Sequence, residues 1–81
     1  MVITVRLFAI VRDRAGFAQT TLQLQPGATV QTVSTILGER FPAIQPLLSK
    51  LAYAVNQQYV PSSAELHEGD ELALIPPVSG G

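Results

Sequence analysis

The sequence predicts an α+β domain, a mixed sheet with one main helix packed on one face. Three observations predict it. Two early runs alternate apolar and polar residues as half-buried strands do. A central stretch carries apolar residues at helical spacing. A final alternating run, Glu71-Leu72-Ala73-Leu74-Ile75, ends on two prolines. One helix cannot cover both faces of a sheet, so the other face stays open. Eighty-one residues hold one small domain, expected over residues 1–75, with 76–81 as an extended flexible tail.

The elements follow in order. Over residues 2–9, Ile3, Val5, Leu7 and Ala9 point to the core and Thr4, Arg6 and Phe8 point away. Arg12 to Gly16 reads as a polar turn. A second alternating run, Thr20 to Gln25, stops at Pro26-Gly27 and pairs antiparallel with the first. Thr29 is a suitable N-cap, and Val30, Val33, Ile36, Leu37 and Phe41 form one apolar stripe behind it. Pro42 disfavours the helical conformation at Phe41, which ends the helix near Arg40. Pro42 to Lys50 reads as irregular or a short turn of helix, with Leu47 and Leu48 tucked under it. Leu51 to Gln57 is a third strand and Gln58 to Val60 a short return strand. Pro61 to Ser63 turns the chain, and Glu68-Gly69-Asp70 turns it again into the last strand. A right-handed crossover makes the first and last strands central, parallel neighbours. This layout is a ubiquitin-like β-grasp.

Composition narrows the function. Hydrophobic residues make up 47% of the chain, enough for a core, while charged residues make up only 14%, well below the usual ~25%. Part of the surface is therefore uncharged, as suits a protein that works docked to another. Five Lys and Arg are scattered and the formal net charge is −1, which gives no electrostatic footprint for nucleic acid. The absence of cysteine excludes a disulfide scaffold, a thiolate metal site and a cysteine nucleophile. The start resembles no signal peptide, and no stretch approaches the ~20 apolar residues of a membrane span. The expected location is the cytoplasm.

Side-chain chemistry finds few candidates. His67, the only histidine, lies in a turn among Glu65, Glu68, Asp70 and Glu71, where a solvated loop or a weak acidic handle for a basic partner are the two readings. No phosphate-binding glycine motif is present. What remains is a sheet face and a chain end. Strand parity puts Phe8 and Ile75 on the open face, where Tyr59 can join them as a docking patch. Beyond Ile75, Pro76 and Pro77 stop the sheet. Val78 and Ser79 lead to Gly80 and Gly81, whose lack of Cβ makes the end thin. Extended, six residues reach roughly 20 Å, far enough to thread a carboxylate into another protein's active site.

Arg6-Leu7-Phe8-Ala9 with Arg12-Asp13, Ala54-Val55-Asn56-Gln57, and the ending Gly69-Asp70-Glu71 through Pro76-Pro77-Val78-Ser79-Gly80-Gly81 together resemble the small subunit of molybdopterin synthase, the MoaD family. The resemblance spans the whole chain. It implies a sulfur carrier with no permanently bound cofactor. Gly81, beside Gly80, is adenylated to an acyl-AMP by a partner of the ubiquitin-activating type. A sulfur donor protein then converts it to a thiocarboxylate. The large catalytic subunit, in a heterotetramer, receives the tail and the sulfur builds the dithiolene of molybdopterin. The resemblance also assigns Phe8, Tyr59, Ile75 and the Pro76–Ser79 segment to partner contact, although a smaller aliphatic residue is more usual at Tyr59. The residues leave open a related carrier for thiamine or tRNA thiolation, a ubiquitin-like modifier of lysines, and a plain interaction domain.

Overall fold

A computed structural model describes residues 1–77. The elements are β1 (Val2–Leu7), α1 (Ala9–Ala15), β2 (Gln19–Gln23), α2 (Val30–Arg40), a 3-10 helix (Pro42–Lys50), β3 (Ala52–Val55), β4 (Gln58–Val60) and β5 (Glu71–Ile75). The strands form one sheet in the order β2-β1-β5-β3-β4. β1 runs parallel to β5, and the other neighbouring pairs are antiparallel. The ubiquitin-like β-grasp expected from the strand pattern is the observed architecture.

The core is built as the alternation dictates. Ile3, Val5 and Leu7 of β1, Leu22 of β2 and Leu72 and Leu74 of β5 are buried against Val30, Val33 and Leu37 of α2. Ile44 of the 3-10 helix and Leu66 of the loop before β5 close the ends of this cluster. The start of α2 is fixed by a reciprocal cap. The Thr29 hydroxyl accepts the Thr32 N–H at 3.4 Å, and the Thr32 hydroxyl accepts the Thr29 N–H at 3.1 Å. Pro42 takes over where α2 stops, and Gly38 lets the following segment lie close: a Cβ there would come within 2.7 Å of Leu48 Cδ1.

A polar pair is sealed in the core. Ser34 on α2 is buried, and the Tyr53 hydroxyl donates to its Oγ at 3.1 Å. This bond ties the helix to β3 across the layer gap. Tyr53→Phe should lower unfolding free energy by about 1 kcal/mol, the usual net value of one such bond with a partner left unpaired. Chemical denaturation reads it directly, and an unchanged midpoint would mean that Ser34 Oγ finds another donor at no cost.

The structure departs from the sequence reading in the connections. Ala9–Ala15, read in part as a strand end and a polar turn, form α1. Ala9 is not a core residue: it is exposed with φ 50°, turning the chain out of the strand direction. Only Val11 of α1 is buried, so no apolar stripe marks this helix, and Phe8 offers no capping side chain. Gly16 ends it at φ 91°, its N–H donating to the Arg12 carbonyl at 2.9 Å. Phe17, just beyond, packs against Phe41 with ring centroids 4.9 Å apart. The third strand ends at Val55 because Asn56 and Gln57 take left-handed φ values of 50° and 71° and make the hairpin turn. Pro42–Lys50 is a continuous 3-10 helix anchored by buried Ile44, with Leu47 and Leu48 half-buried.

Candidate functional site

The face opposite α2 is the candidate site, and the strand registers determine what it displays. Arg6 lies across from Ala73, Ala73 from Ala54, and Ala54 from Tyr59. Residues two apart share a face, so Glu71 and Ile75 stand beside Ala73. Phe8 keeps the parity of β1 one residue past its end, because its backbone stays extended at φ −128° and ψ 152°. These side chains line a shallow depression of about 270 Å³ with Gln57. The small Ala54 and Ala73 lie at its middle, with Phe8, Tyr59 and Ile75 around them. Tyr59 is 74% exposed and Phe8 38% exposed, large values for rings on a sheet.

Among the described residues, one ion pair belongs to this face. Arg6 Nη1 stands 3.6 Å from Glu71 Oε1, and the guanidinium carbon lies 5.7 Å from the centroid of the Phe8 ring. The cation is thus held between a carboxylate and an aromatic face.

A hydrogen-bonded clamp supports the edge of the depression. The Asn56 N–H donates to the Glu71 carbonyl at 2.9 Å, and the Glu71 N–H donates to Asn56 Oδ1 at 3.0 Å. The side-chain oxygen replaces the backbone carbonyl that the left-handed turn has rotated out of the ladder. Asn56 Nδ2 donates to Asp70 Oδ1 at 2.9 Å, and the His67 N–H donates to Asp70 Oδ2 at 2.7 Å. Asp70 is therefore an internal acceptor, not part of a free acidic handle. The His67 ring is largely exposed, its Nδ1 3.8 Å from Asp70 Oδ2. The sequence reading placed Asn56 within the third strand and not in a turn. The available signal was a two-residue Asn-Gln step between strand runs, which suits a turn with both φ values positive.

Of the residues singled out from sequence, the fold brings Phe8, Tyr59 and Ile75 together on one face. Pro76 and Pro77 follow β5 outside the strand, the first half-buried and the second exposed. Val78, Ser79, Gly80 and Gly81 lie outside the described residues. Among the described residues, no group of three or more His, Asp and Glu could hold a metal ion, and no helix is long and apolar enough to cross a membrane.

Known proteins give this geometry its context. The sequence profile of the ThiS family matches residues 5–81. A molybdopterin synthase sulfur carrier subunit from Arabidopsis thaliana is 39% identical over 79 residues, covering 98% of this chain and 82% of the relative. Among solved structures, the SAMP1 protein of Haloferax volcanii superposes with a TM-score of 0.88 at 27% identity, each chain fully covered. The fold also matches, at a TM-score of 0.74 and 23% identity with both chains fully covered, a chain in the complex of subunits 1 and 2 of molybdopterin-converting factor from Helicobacter pylori. The chain belongs to the ThiS family and, within it, to the molybdopterin synthase sulfur carrier subunits.

Proposed function

We propose that this chain carries sulfur as a thiocarboxylate on Gly81 and delivers it while docked, through the face formed by Phe8, Tyr59 and Ile75, on the large catalytic subunit of molybdopterin synthase. One observation carries the reading. The parallel pairing of β1 with β5 brings Phe8 and Ile75 to the same end of the open face, and β5 hands the chain to Pro76 at that end. A partner that covers the face therefore stands where the 76–81 segment begins. The match of the family profile through residue 81 supports the same assignment.

The chemistry needs an activated main-chain carboxyl. A carboxylate is a poor acyl donor, because oxide is a poor leaving group. An adenylating partner of the ubiquitin-activating type would let a Gly81 oxygen attack the α-phosphorus of Mg-ATP, releasing pyrophosphate and leaving an acyl-AMP. A sulfur donor protein then supplies a sulfide-level sulfur that attacks the carbonyl carbon, and AMP leaves with the C–O bond electrons. The thiocarboxylate sulfur attacks a carbon of the pyranopterin precursor held by the large subunit and displaces the oxygen there; water then cleaves the Gly81 acyl C–S bond, which leaves the sulfur on the product and returns Gly81 as a carboxylate. Two sulfurs make one dithiolene, so two loaded carriers act per product, consistent with a heterotetramer. Docking makes the attack effectively intramolecular, which is where the rate gain comes from. The setting is the cytoplasm, and the protein itself acts as a group carrier in the manner of lipoyl domains.

The test is intact-mass measurement of the protein purified from cells that are making molybdenum cofactor. A fraction with one oxygen replaced by sulfur, localised to the peptide containing Gly81, is the expected result. Only unmodified carboxylate, in cells whose synthase is active, would overturn it.

A further inference from the structure

We infer that Arg6 is a specificity-determining residue for docking, and that the partner surface presents an Asp or Glu carboxylate to it. The inference rests on the docking face proposed above. It begins from the position of a cation on a face that is otherwise mostly apolar. Arg6 is aligned with Ala73 on the central strand pair, so it stands within the depression and not at the sheet's rim. Phe8 and Glu71 both line that depression with it.

The guanidinium is held but not satisfied. Its contact with Glu71 is 3.6 Å, beyond hydrogen-bond length. The Phe8 ring covers it from 5.7 Å, which fixes its place without using an N–H. Arg has five donors, and among the described residues none of them makes a hydrogen bond. In the free protein water serves those donors, since the Arg6 and Glu71 side chains are 45% and 38% exposed. A partner seated on Phe8, Tyr59 and Ile75 would displace that water. An apolar partner surface would then leave a charged group with a single loose ion pair, which costs more than the pair returns. A carboxylate solves this by taking two parallel N–H bonds from the fork. A lysine of the partner would face the same fork as a like charge. Arg6 therefore rewards one surface and penalises the other, which is how specificity is built.

The experiment measures affinity of the folded full-length carrier for its cognate large subunit by calorimetry at low and high salt. Circular dichroism confirms the fold of each variant. Arg6→Met keeps much of the side-chain volume and removes the charge. Arg6→Lys keeps the charge and removes the fork. Phe8→Ala tests the face alone. The expected pattern is a loss of roughly 10-fold to 100-fold for Arg6→Met, an intermediate loss for Arg6→Lys, and a weaker salt dependence in Arg6→Met than in the parent. Phe8→Ala should weaken binding by roughly 5-fold to 100-fold, as a partial hot spot does. If Phe8→Ala weakens binding while Arg6→Met binds as well as the parent or better, the role of Arg6 is overturned and the face stands. If neither variant changes affinity, the docking face is wrong and the inference falls with it.

Discussion

Removing Gly81 is expected to abolish sulfur transfer while leaving the unfolding temperature unchanged. The stability half follows from the core. Among the described residues, every fully buried large side chain lies between Ile3 and Leu74, so the deletion takes nothing from the packed cluster. The activity half follows from geometry. Deletion moves the main-chain carboxyl back to Gly80, one residue or roughly 3.5 Å short. A misplacement of about 1 Å can already cost ~100-fold in a positioned reaction. Gly81→Ala separates reaction from reach. Its Cβ would sit beside the carbonyl that AMP and the sulfur nucleophile must both approach. It should slow adenylation or sulfur transfer far more than it weakens docking, which the proposed reading assigns to the sheet face. Gly80→Ala should be milder, since it narrows the passage without crowding the acyl carbon. Affinity and product formation are measured separately for each variant. Equal losses of affinity and rate in Gly81→Ala would make the tail an anchor and end the reactive-terminus reading.

The contrast between the two parts of the molecule explains what the sequence makes legible. Strands β1 and β5 are readable because burial on one face forces a period of two, and Ile3, Val5, Leu7, Leu72 and Leu74 all obey it. The same parity puts Phe8 and Ile75 on the open face without any structural input, Phe8 exposed and Ile75 half-buried. Helix α2 is readable because a threonine cap precedes three core residues at helical spacing. Helix α1 is not, because it buries only Val11 and begins with Ala9 in a left-handed conformation that no local residue type announces. The Asn56–Asp70 clamp is equally hidden: its partners are 14 residues apart, and only the sheet order joins them. Arg6 looks like an ordinary polar-face residue in the alternation. Its place beside Glu71 depends on the parallel register of β1 and β5, which alternation alone does not provide.

Asn56→Asp should destabilise the fold, lowering unfolding free energy by about 2–4 kcal/mol at neutral pH. Asp is nearly isosteric with Asn and tolerates positive φ almost as well, so the turn at φ 50° is not itself in question. Asp keeps the oxygen that accepts the Glu71 N–H at 3.0 Å. It loses the Nδ2 donor to Asp70, and it sets a second carboxylate where that 2.9 Å bond was. Water relieves the repulsion only partly, because the Asp70 side chain is just 13% exposed. For a domain of this size the loss corresponds to a fall of roughly 10 °C or more in melting temperature. The pH dependence gives the signature. The Asp70 carboxylate opposes ionisation of the introduced carboxyl, which is therefore held above its unfolded-state pKa by the like charge. The penalty is then full above the folded pKa and fades as pH falls through it, disappearing below the unfolded pKa. Thermal melts of parent and variant should therefore converge on acidification. Asn56→Ala behaves differently: it loses both side-chain bonds and pays the left-handed strain, at every pH. Because Gln57 and Tyr59 follow the turn onto the open face, Asn56→Asp should also weaken docking at neutral pH and recover part of it in acid. A variant melting within a degree or two of the parent at neutral pH would show that the clamp contributes nothing to holding β5 in place.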